Sequence, residues 1–145
     1  MTGSTWENAG VFHLMRRVMQ RHNALWRERL PDLTPVQFAV LLAVQNLPGA
    51  DQKGIGFAAA VEATTMTNLL PRMERNGLVD RARDADDARR ICLHLTDLGR
   101  TVLAEALPIV HAIRDECLSA ISPIDRRTLR GLLGDLARSD HSANL

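Results

Sequence analysis

The chain has 145 residues, 46% of them hydrophobic, and a formal net charge of +1. This length fits one domain, and this composition excludes a disordered chain. The apolar runs are too short to cross a bilayer, and the N-terminus lacks the basic-then-apolar order of a signal peptide, so we expect a cytoplasmic protein without membrane contact. Because the net charge is near zero, any nucleic-acid-binding surface has to be local.

Residues 6–30 (WENAGVFHLMRRVMQRHNALWRERL) carry apolar side chains at helical spacing. The repeat predicts a long amphipathic helix, with His22 on its apolar stripe four residues before Trp26.

A second helix is predicted to begin at Thr34. The order Thr34, Pro35, Gln37 supplies a cap, a proline at the first helical position and a capping box. Its buried face is expected to consist of Phe38, Leu41 and Leu42. Pro48-Gly49 ends it, and the glycine-containing segment 51–63 predicts only a short third helix.

The fourth helix lies in residues 64–78 (TTMTNLLPRMERNGL). Thr64 or Thr65 is expected to cap it, and Asn76-Gly77 to close it in left-handed geometry. Pro71 falls in its interior, where a proline usually kinks a helix. The side chains expected to be buried are Leu69, Leu70 and Met73.

Two short strands are predicted at residues 78–83 and 90–96, joined by a loop of mixed charge. Thr96 is expected to cap a long helix with a buried stripe, and Ser122-Pro123 to start a last one. That stripe comprises Leu98, Val102, Ala106, Ile109, Val110, Ile113 and Cys117.

This order of elements predicts a mainly α fold with a small β-hairpin wing. A short helix, a turn, a second helix and a hairpin are the layout of a winged helix-turn-helix. Within a single domain spanning residues 1–145, we assign residues 34–96 to the winged helix-turn-helix lobe. Residues 5–30 and 97–138 are assigned to dimerisation helices.

Residues 12–136 resemble the MarR family of bacterial transcriptional regulators, most specifically in LLPRMERNGLVDRARDADDARRICLHLTDLG (residues 69–99). The motif residues are Glu74, Gly77, Leu78, Asp87, Arg89, Leu95, Thr96 and Gly99. The resemblance implies a homodimer with one recognition helix and one wing per subunit. It also implies a repressor that a small aromatic or anionic effector releases from a pseudo-palindromic DNA operator. Residues 20–26 (QRHNALW) are similar to regulators of aromatic-compound breakdown, including nicotinate-type catabolism.

The candidate DNA contacts lie on the fourth helix and the wing. Thr and Asn side chains bind phosphates or base edges, and Arg binds guanine bidentately. On the wing, Arg89 is predicted to enter the minor groove and Asp87 to orient a nearby arginine. Arg90 is either a phosphate contact or merely exposed. The helix residues are Thr64, Thr65, Thr67, Asn68 and Arg72.

An aromatic acid or phenol requires a cation or hydrogen-bond donor for its polar group and an apolar surface for its ring. Five residues are candidates for these effector contacts. The open alternative is that His22 is a core residue with a fixed protein partner. The residues are His13, Arg17, His22, Trp26 and Phe38.

The sequence leaves three other classes of function to consider: an enzyme, a redox-sensing regulator and a module of the same fold that does not bind DNA. No nucleophile motif, phosphate loop or paired carboxylates point to an enzyme, and no ligand spacing points to a metal or another cofactor. A redox-sensing regulator needs an exposed thiol of low pKa, and neither Cys92 nor Cys117 has a cationic setting. A helical ligand-binding or interaction module of the same fold that does not bind DNA also remains open.

Overall fold

The computed structural model describes residues 10–139. In that range the chain forms six helices and a two-stranded antiparallel sheet. The elements are α1 (Val11–Arg29), α2 (Pro35–Asn46), α3 (Gln52–Ala58), α4 (Ala63–Arg75), β1 (Val79–Arg83), β2 (Ile91–Leu95), α5 (Asp97–Cys117) and α6 (Pro123–Ser139). The predicted element order and the mainly α fold class are therefore confirmed.

Within residues 10–139, none of the helices combines the length and the apolar character that crossing a bilayer requires.

The chain divides into two compact units. We call Asn23–His111 the central unit, and the rest, described at residues 10–22 and 112–139, the terminal unit. Among the described residues, Ile113 is the only buried hydrophobic side chain outside the central unit. The core that holds the wing in place therefore belongs to the central unit.

Helix α2 begins as predicted. The backbone N–H of Gln37 donates to Thr34 Oγ1 at 3.1 Å, and the N–H of Thr34 donates to Gln37 Oε1 at 3.0 Å. This reciprocal pair satisfies two of the amides that a helix start leaves without partners. Phe38 and Leu41 are buried as predicted, whereas Leu42 is only half-buried.

The start of α4 differs from the prediction that Thr64 or Thr65 caps it. The cap position is Glu62, whose side chain makes no capping hydrogen bond. The cause lies in the preceding turn, where Ala60 has a φ of 55° and the N–H of Val61 donates to the carbonyl of Gly56 at 2.8 Å. This tight turn lets α4 begin at Ala63, so both threonines lie inside its first turn.

The rest of α4 runs through Pro71 to Arg75 as one helix. Its buried side chains are Met66, Leu70 and Met73, while Leu69 is half-buried. The predicted left-handed closure is confirmed, because Gly77 has a φ of 73°.

A tight junction joins the end of α4 to the start of α5. Thr96 Oγ1 donates to the carbonyl of Gly77 and accepts the N–H of Gly99 at 2.9 Å. A Cβ on Gly99 would lie 2.0 Å from the carbonyl oxygen of Leu78. The junction therefore requires a glycine three residues after the threonine cap.

The same junction corrects the predicted stripe of α5. Leu98, predicted to be buried, is 52% exposed, and its side chain lies beside Gly77. Val102 and Cys117 are half-buried, whereas the side chains of Leu103, Ala106 and Ile113 are buried.

The wing consists of β1, β2 and the loop of residues 84–90. The strands pair antiparallel, from Val79 opposite Leu95 to Arg83 opposite Ile91. A further bridge joins Asp51 to Cys92, and the N–H of Leu93 donates to the carbonyl of Ala50 at 3.0 Å. The base of the wing is thus attached to the segment before α3.

Candidate nucleic-acid interface

The exposed face of α4 carries the five predicted DNA contacts of this helix. Met66, Leu70 and Met73 recur at intervals of four and three residues, so they hold one face of α4 against the core. The opposite face of α4 carries polar side chains that are exposed to solvent. Those exposed side chains are Thr64, Thr65, Thr67, Asn68 and Arg72.

The wing loop presents Arg89 to solvent. The Asp87 carboxylate accepts the backbone N–H of Arg89 at 3.0 Å and its Nε–H at 3.4 Å. The side chain of Arg89 is nevertheless 93% exposed. Asp87 therefore contacts Arg89 and leaves most of its guanidinium open to a partner, and the role of both residues in DNA binding stays a prediction.

Arg90 has different surroundings. Its Nε lies 3.3 Å from Asp51 Oδ2, and its Nη1 lies 3.4 Å from Asp84 Oδ2. The N–H of Gly54 and the Arg90 guanidinium lower the pKa of Asp51. The N–H groups of Asp86 and Asp87, with Arg90, lower the pKa of Asp84. Both acids are therefore ionised partners of Arg90 at neutral pH.

A second ion pair joins α4 to the first wing strand. Arg81 donates from Nε to Glu74 Oε2 at 3.1 Å and from Nη2 to Glu74 Oε1 at 3.4 Å. The hydrogen bond from Arg81 lowers the pKa of Glu74. A bidentate pair of this kind fixes geometry as well as charge.

A groove of about 590 Å³ lies between the start of α3, the start of α4 and the wing. It brings Thr67 together with Arg89 and Arg90, all within the central unit. Thr64, Thr65, Asn68, Arg72 and Asp87 do not line it. Helix α4 and the wing arginine therefore border one concave surface.

Two charged residues of the groove, Asp51 and Lys53, were not among the predicted site residues. Asp51 caps α3, accepting the N–H of Gly54 at 2.8 Å, and Lys53 is exposed beside it. The spacing of Asp51 and Gly54 was a visible signal for a helix cap. Nothing in the local sequence indicated the pairing with Arg90, because the partners are 39 positions apart.

The predicted effector residues fall in two places. Trp26 and Phe38 meet in the core, 4% and 8% exposed, with ring centroids 5.5 Å apart. Trp26 Nε1 donates to the carbonyl of Leu33 at 2.6 Å, so this donor is already used. His13 and Arg17 are exposed and His22 is half-buried, all in the terminal unit. Their role in binding an effector stays a prediction.

The cysteines differ in exposure. Cys92 is buried, and burial together with the charge of Asp84 raises its pKa. A raised pKa disfavours the thiolate that redox sensing requires. Cys117, predicted to be buried, is half-exposed.

A helix-turn-helix followed by a hairpin wing, with polar side chains on the exposed face of the second helix, is the arrangement of winged-helix regulators. Residues 33–91 match the model of the MarR family. Over 112 residues the chain is 42% identical to the transcriptional regulator HosA of Escherichia coli. The aligned residues cover 77% of this chain and 83% of HosA. The chain therefore belongs to the MarR family of transcriptional regulators, as the motif in residues 69–99 predicted. Membership also confirms that the chain is a regulator rather than an enzyme.

Solved structures of two regulators share the fold. One is BpsR of Bordetella bronchiseptica, from work on the regulation of its DNA binding by 6-hydroxynicotinic acid. Its TM-score is 0.84 at 28% identity, covering 88% of this chain and 93% of BpsR. The other is the repressor CouR bound to a 23-mer DNA duplex, with a TM-score of 0.84 at 28% identity and coverage of 95% and 98%.

Proposed function

We propose that the chain is a homodimeric repressor that binds a pseudo-palindromic DNA operator and is released by a small aromatic acid or phenol. The observation that carries the DNA-binding part is the groove bordered by both α4 and Arg89. A helix and an exposed arginine on one concave surface match a major groove and the adjacent minor groove.

In this proposal α4 reads bases and the wing reads groove shape. Arg72 is exposed on α4 and provides the bidentate donor that suits guanine. Thr64, Thr65, Thr67 and Asn68 supply shorter donors and acceptors for phosphates and base edges. Arg89 inserts into a narrow minor groove, where the negative potential is enhanced. The structure of CouR bound to a 23-mer DNA duplex supports DNA binding by this fold.

The dimer is proposed from the terminal unit, which contains α6 and the start of α1. No side chain of α6 is buried in the single chain. Helices α1 and α6 leave apolar side chains exposed that a second copy would cover. Two-fold symmetry then sets two half-sites about one helical turn, roughly 34–36 Å, apart. The exposed side chains are Val11, Phe12, Leu14, Met15, Val18 and Met19 on α1, and Ile124, Leu129, Leu132, Leu133 and Leu136 on α6.

The effector class is proposed from chemistry and from one relative. Histidine and arginine side chains on α1 provide donors for a carboxylate or phenol, as the sequence predicted for His13, Arg17 and His22. Regulation of BpsR by 6-hydroxynicotinic acid, an aromatic acid, supports the same ligand class. A redox-sensing regulator is the weaker alternative, because the Cys92 thiol is buried with a raised pKa.

The test is a gel shift with the DNA upstream of the protein's own gene, using random DNA of equal length as competitor. We expect a specific complex, and we expect Arg72→Ala to relax base preference at one position of each half-site by about 1–3 kcal/mol. Arg75→Ala, which changes an exposed arginine one helical turn later, is the matched control and should leave that preference intact. Equal binding of upstream and random DNA by the wild type would instead favour an interaction module of the same fold.

A further inference from the structure

We propose that Arg90 is a positioning residue, which fixes the wing against the start of α3 so that Arg89 is presented to DNA. It does not itself bind phosphate. The proposal rests on the DNA-binding function above and deepens it, by assigning DNA contact to Arg89 and positioning of the wing to Arg90.

The side chain of Arg90 joins two separate parts of the chain. Its Nε lies 3.3 Å from Asp51, just before α3, and its Nη1 lies 3.4 Å from Asp84, just after β1. One guanidinium thus connects the wing loop to the first helix of the helix-turn-helix. We call Asp51, Asp84 and Arg90 the wing clamp.

The partners of Arg90 are themselves held in place. One oxygen of Asp51 accepts the N–H of Gly54 at 2.8 Å and the other faces Arg90. Asp84 donates its backbone N–H to the Arg90 carbonyl at 2.9 Å, and its carboxylate accepts the N–H of Asp86 at 2.8 Å. The clamp therefore adds a side-chain link to a hairpin whose backbone is already attached through Leu93.

Charge separates the roles of the two arginines. Arg90 has two carboxylates, so the clamp carries a net charge of minus one, and a phosphate would have to displace them. Arg89 has one carboxylate partner, Asp87, and is 93% exposed, against 48% for Arg90. Arg89 is therefore the available cation, and Arg90 holds the loop from which it projects.

A double-mutant cycle on operator DNA tests this division. Arg90→Ala should weaken binding several-fold in the wild type but hardly at all in an Arg89→Ala background, because only Arg89 makes the contact. In that background the dependence of affinity on salt should also stay unchanged. Additive losses, with a further fall of about 0.9 in the salt slope, would identify Arg90 as a phosphate ligand and overturn the proposal.

Asp51→Asn gives a prediction of opposite sign for the two roles. Asparagine caps a helix about as well as aspartate, so α3 keeps its cap while the clamp loses a charge. A positioning role predicts weaker binding to operator relative to random DNA. A phosphate-binding role predicts tighter binding, because Arg90 is released and a repelling acid is removed. Asp86→Asn is the matched control, since Asp86 lies in the same loop and contributes only its backbone N–H to the clamp.

A measurement without DNA separates this proposal from the proposed function. In the DNA-free protein, Asp51→Asn and Arg90→Ala should speed hydrogen exchange at the Leu93 amide, which bridges the wing to Ala50, and Asp86→Asn should not. Unchanged exchange in both clamp variants would overturn the clamp, whether or not DNA binds. A wild type that ignores operator DNA but shows this pattern would overturn the proposed function and support the clamp.

Discussion

The central and terminal units use their apolar residues in opposite ways. In the central unit, side chains such as Leu41, Ile55, Leu70 and Leu93 are fully buried around the wing and α4. In the terminal unit, α6 has five large hydrophobic side chains exposed and none buried. The central unit therefore buries most of its large hydrophobic side chains within the chain, whereas α6 buries none of its own.

This difference separates two sources of stability. The central unit has a core of its own, so its fold depends on close contacts inside one chain. The proposed dimer assigns the stability of the terminal unit to a second copy, which would make that unit sensitive to protein concentration.

Among single substitutions in the central unit, we expect Gly99→Ala to reduce the stability of the folded chain most. The new Cβ would lie 2.0 Å from the Leu78 carbonyl oxygen, so the junction between α4 and α5 must shift. We expect a loss of about 3 kcal/mol or more in the free energy of unfolding, measured in urea. Gly131→Ala in α6 is the control, because no atom lies within 4 Å of its Cβ position, and it should stabilise the helix by about 0.5–1 kcal/mol. A Gly99 variant as stable as the wild type would show that the junction is loose.

Substitutions in the terminal unit should instead dissociate the proposed dimer. Leu132→Asp with Leu136→Asp places two charges on the exposed apolar face of α6, at a proposed cost of about 2–4 kcal/mol to dimerisation. Light scattering at micromolar concentration should show a dimer for the wild type and a monomer for the variant. Val36→Asp is the control, since it changes an exposed apolar residue at the start of α2 and should leave the mass unchanged. A wild type that is a stable folded monomer would remove the basis for two-fold operator geometry.

Arg89→Ala should alter DNA binding without altering the core of the central unit, since this side chain is almost fully exposed. We expect unchanged thermal stability and a salt slope lower by about 0.9. The loss of affinity should be greater on an A·T-rich flank than on a G·C-rich one, because A-tracts narrow the minor groove. Equal affinity of variant and wild type on both flanks would mean that Arg89 is only a solvated charge.

The His22→Ala substitution tests whether α1 also binds an effector. The ligand account predicts normal folding and DNA binding, with a release concentration raised by about fivefold or more for an aromatic acid. The structural account predicts lower thermal stability and an intact response. A release titration with hydroxylated benzoates and pyridine carboxylates distinguishes them. If none of these acids releases the wild type, the proposed effector class is wrong.

The smallest effect concerns acid stability of the central unit. Asp51, Asp84 and Glu74 have lowered pKa values in the folded chain, from ordinary values of 3.8, 3.8 and 4.5. Their contribution is fully present above those ordinary values and is lost as the pH falls through the lower folded pKa values. We expect urea midpoints to be similar at pH 7 and pH 6 and lower near pH 3, with a slightly smaller drop for Asp51→Asn. An Asp51→Asn profile that drops as far as the wild type would show that the Asp51 carboxylate, held by the Gly54 N–H and Arg90, adds nothing to the acid sensitivity.

The sequence alone determined the elements and most of their ends. Helical spacing predicted α1, the Thr34 capping box predicted the start of α2, and the order of Thr96 and Gly99 indicated the junction after the wing. These signals are local, because caps, turns and periodicity depend on residues within one or two turns of each other. The motif in residues 69–99 was specific enough to identify the family.

How those elements meet depends on packing between distant parts of the chain. In the folded chain α4 begins at Ala63, and Leu98 is exposed. The indole N–H of Trp26 donates a hydrogen bond within the core, and Arg90 pairs with Asp51. Each of these outcomes depends on backbone turns or on partners distant in the chain, and a charged loop residue carries no local sign of its partner. Neighbouring arginines of the same loop therefore acquire different surroundings, because packing brings a second carboxylate to Arg90 and leaves Arg89 exposed.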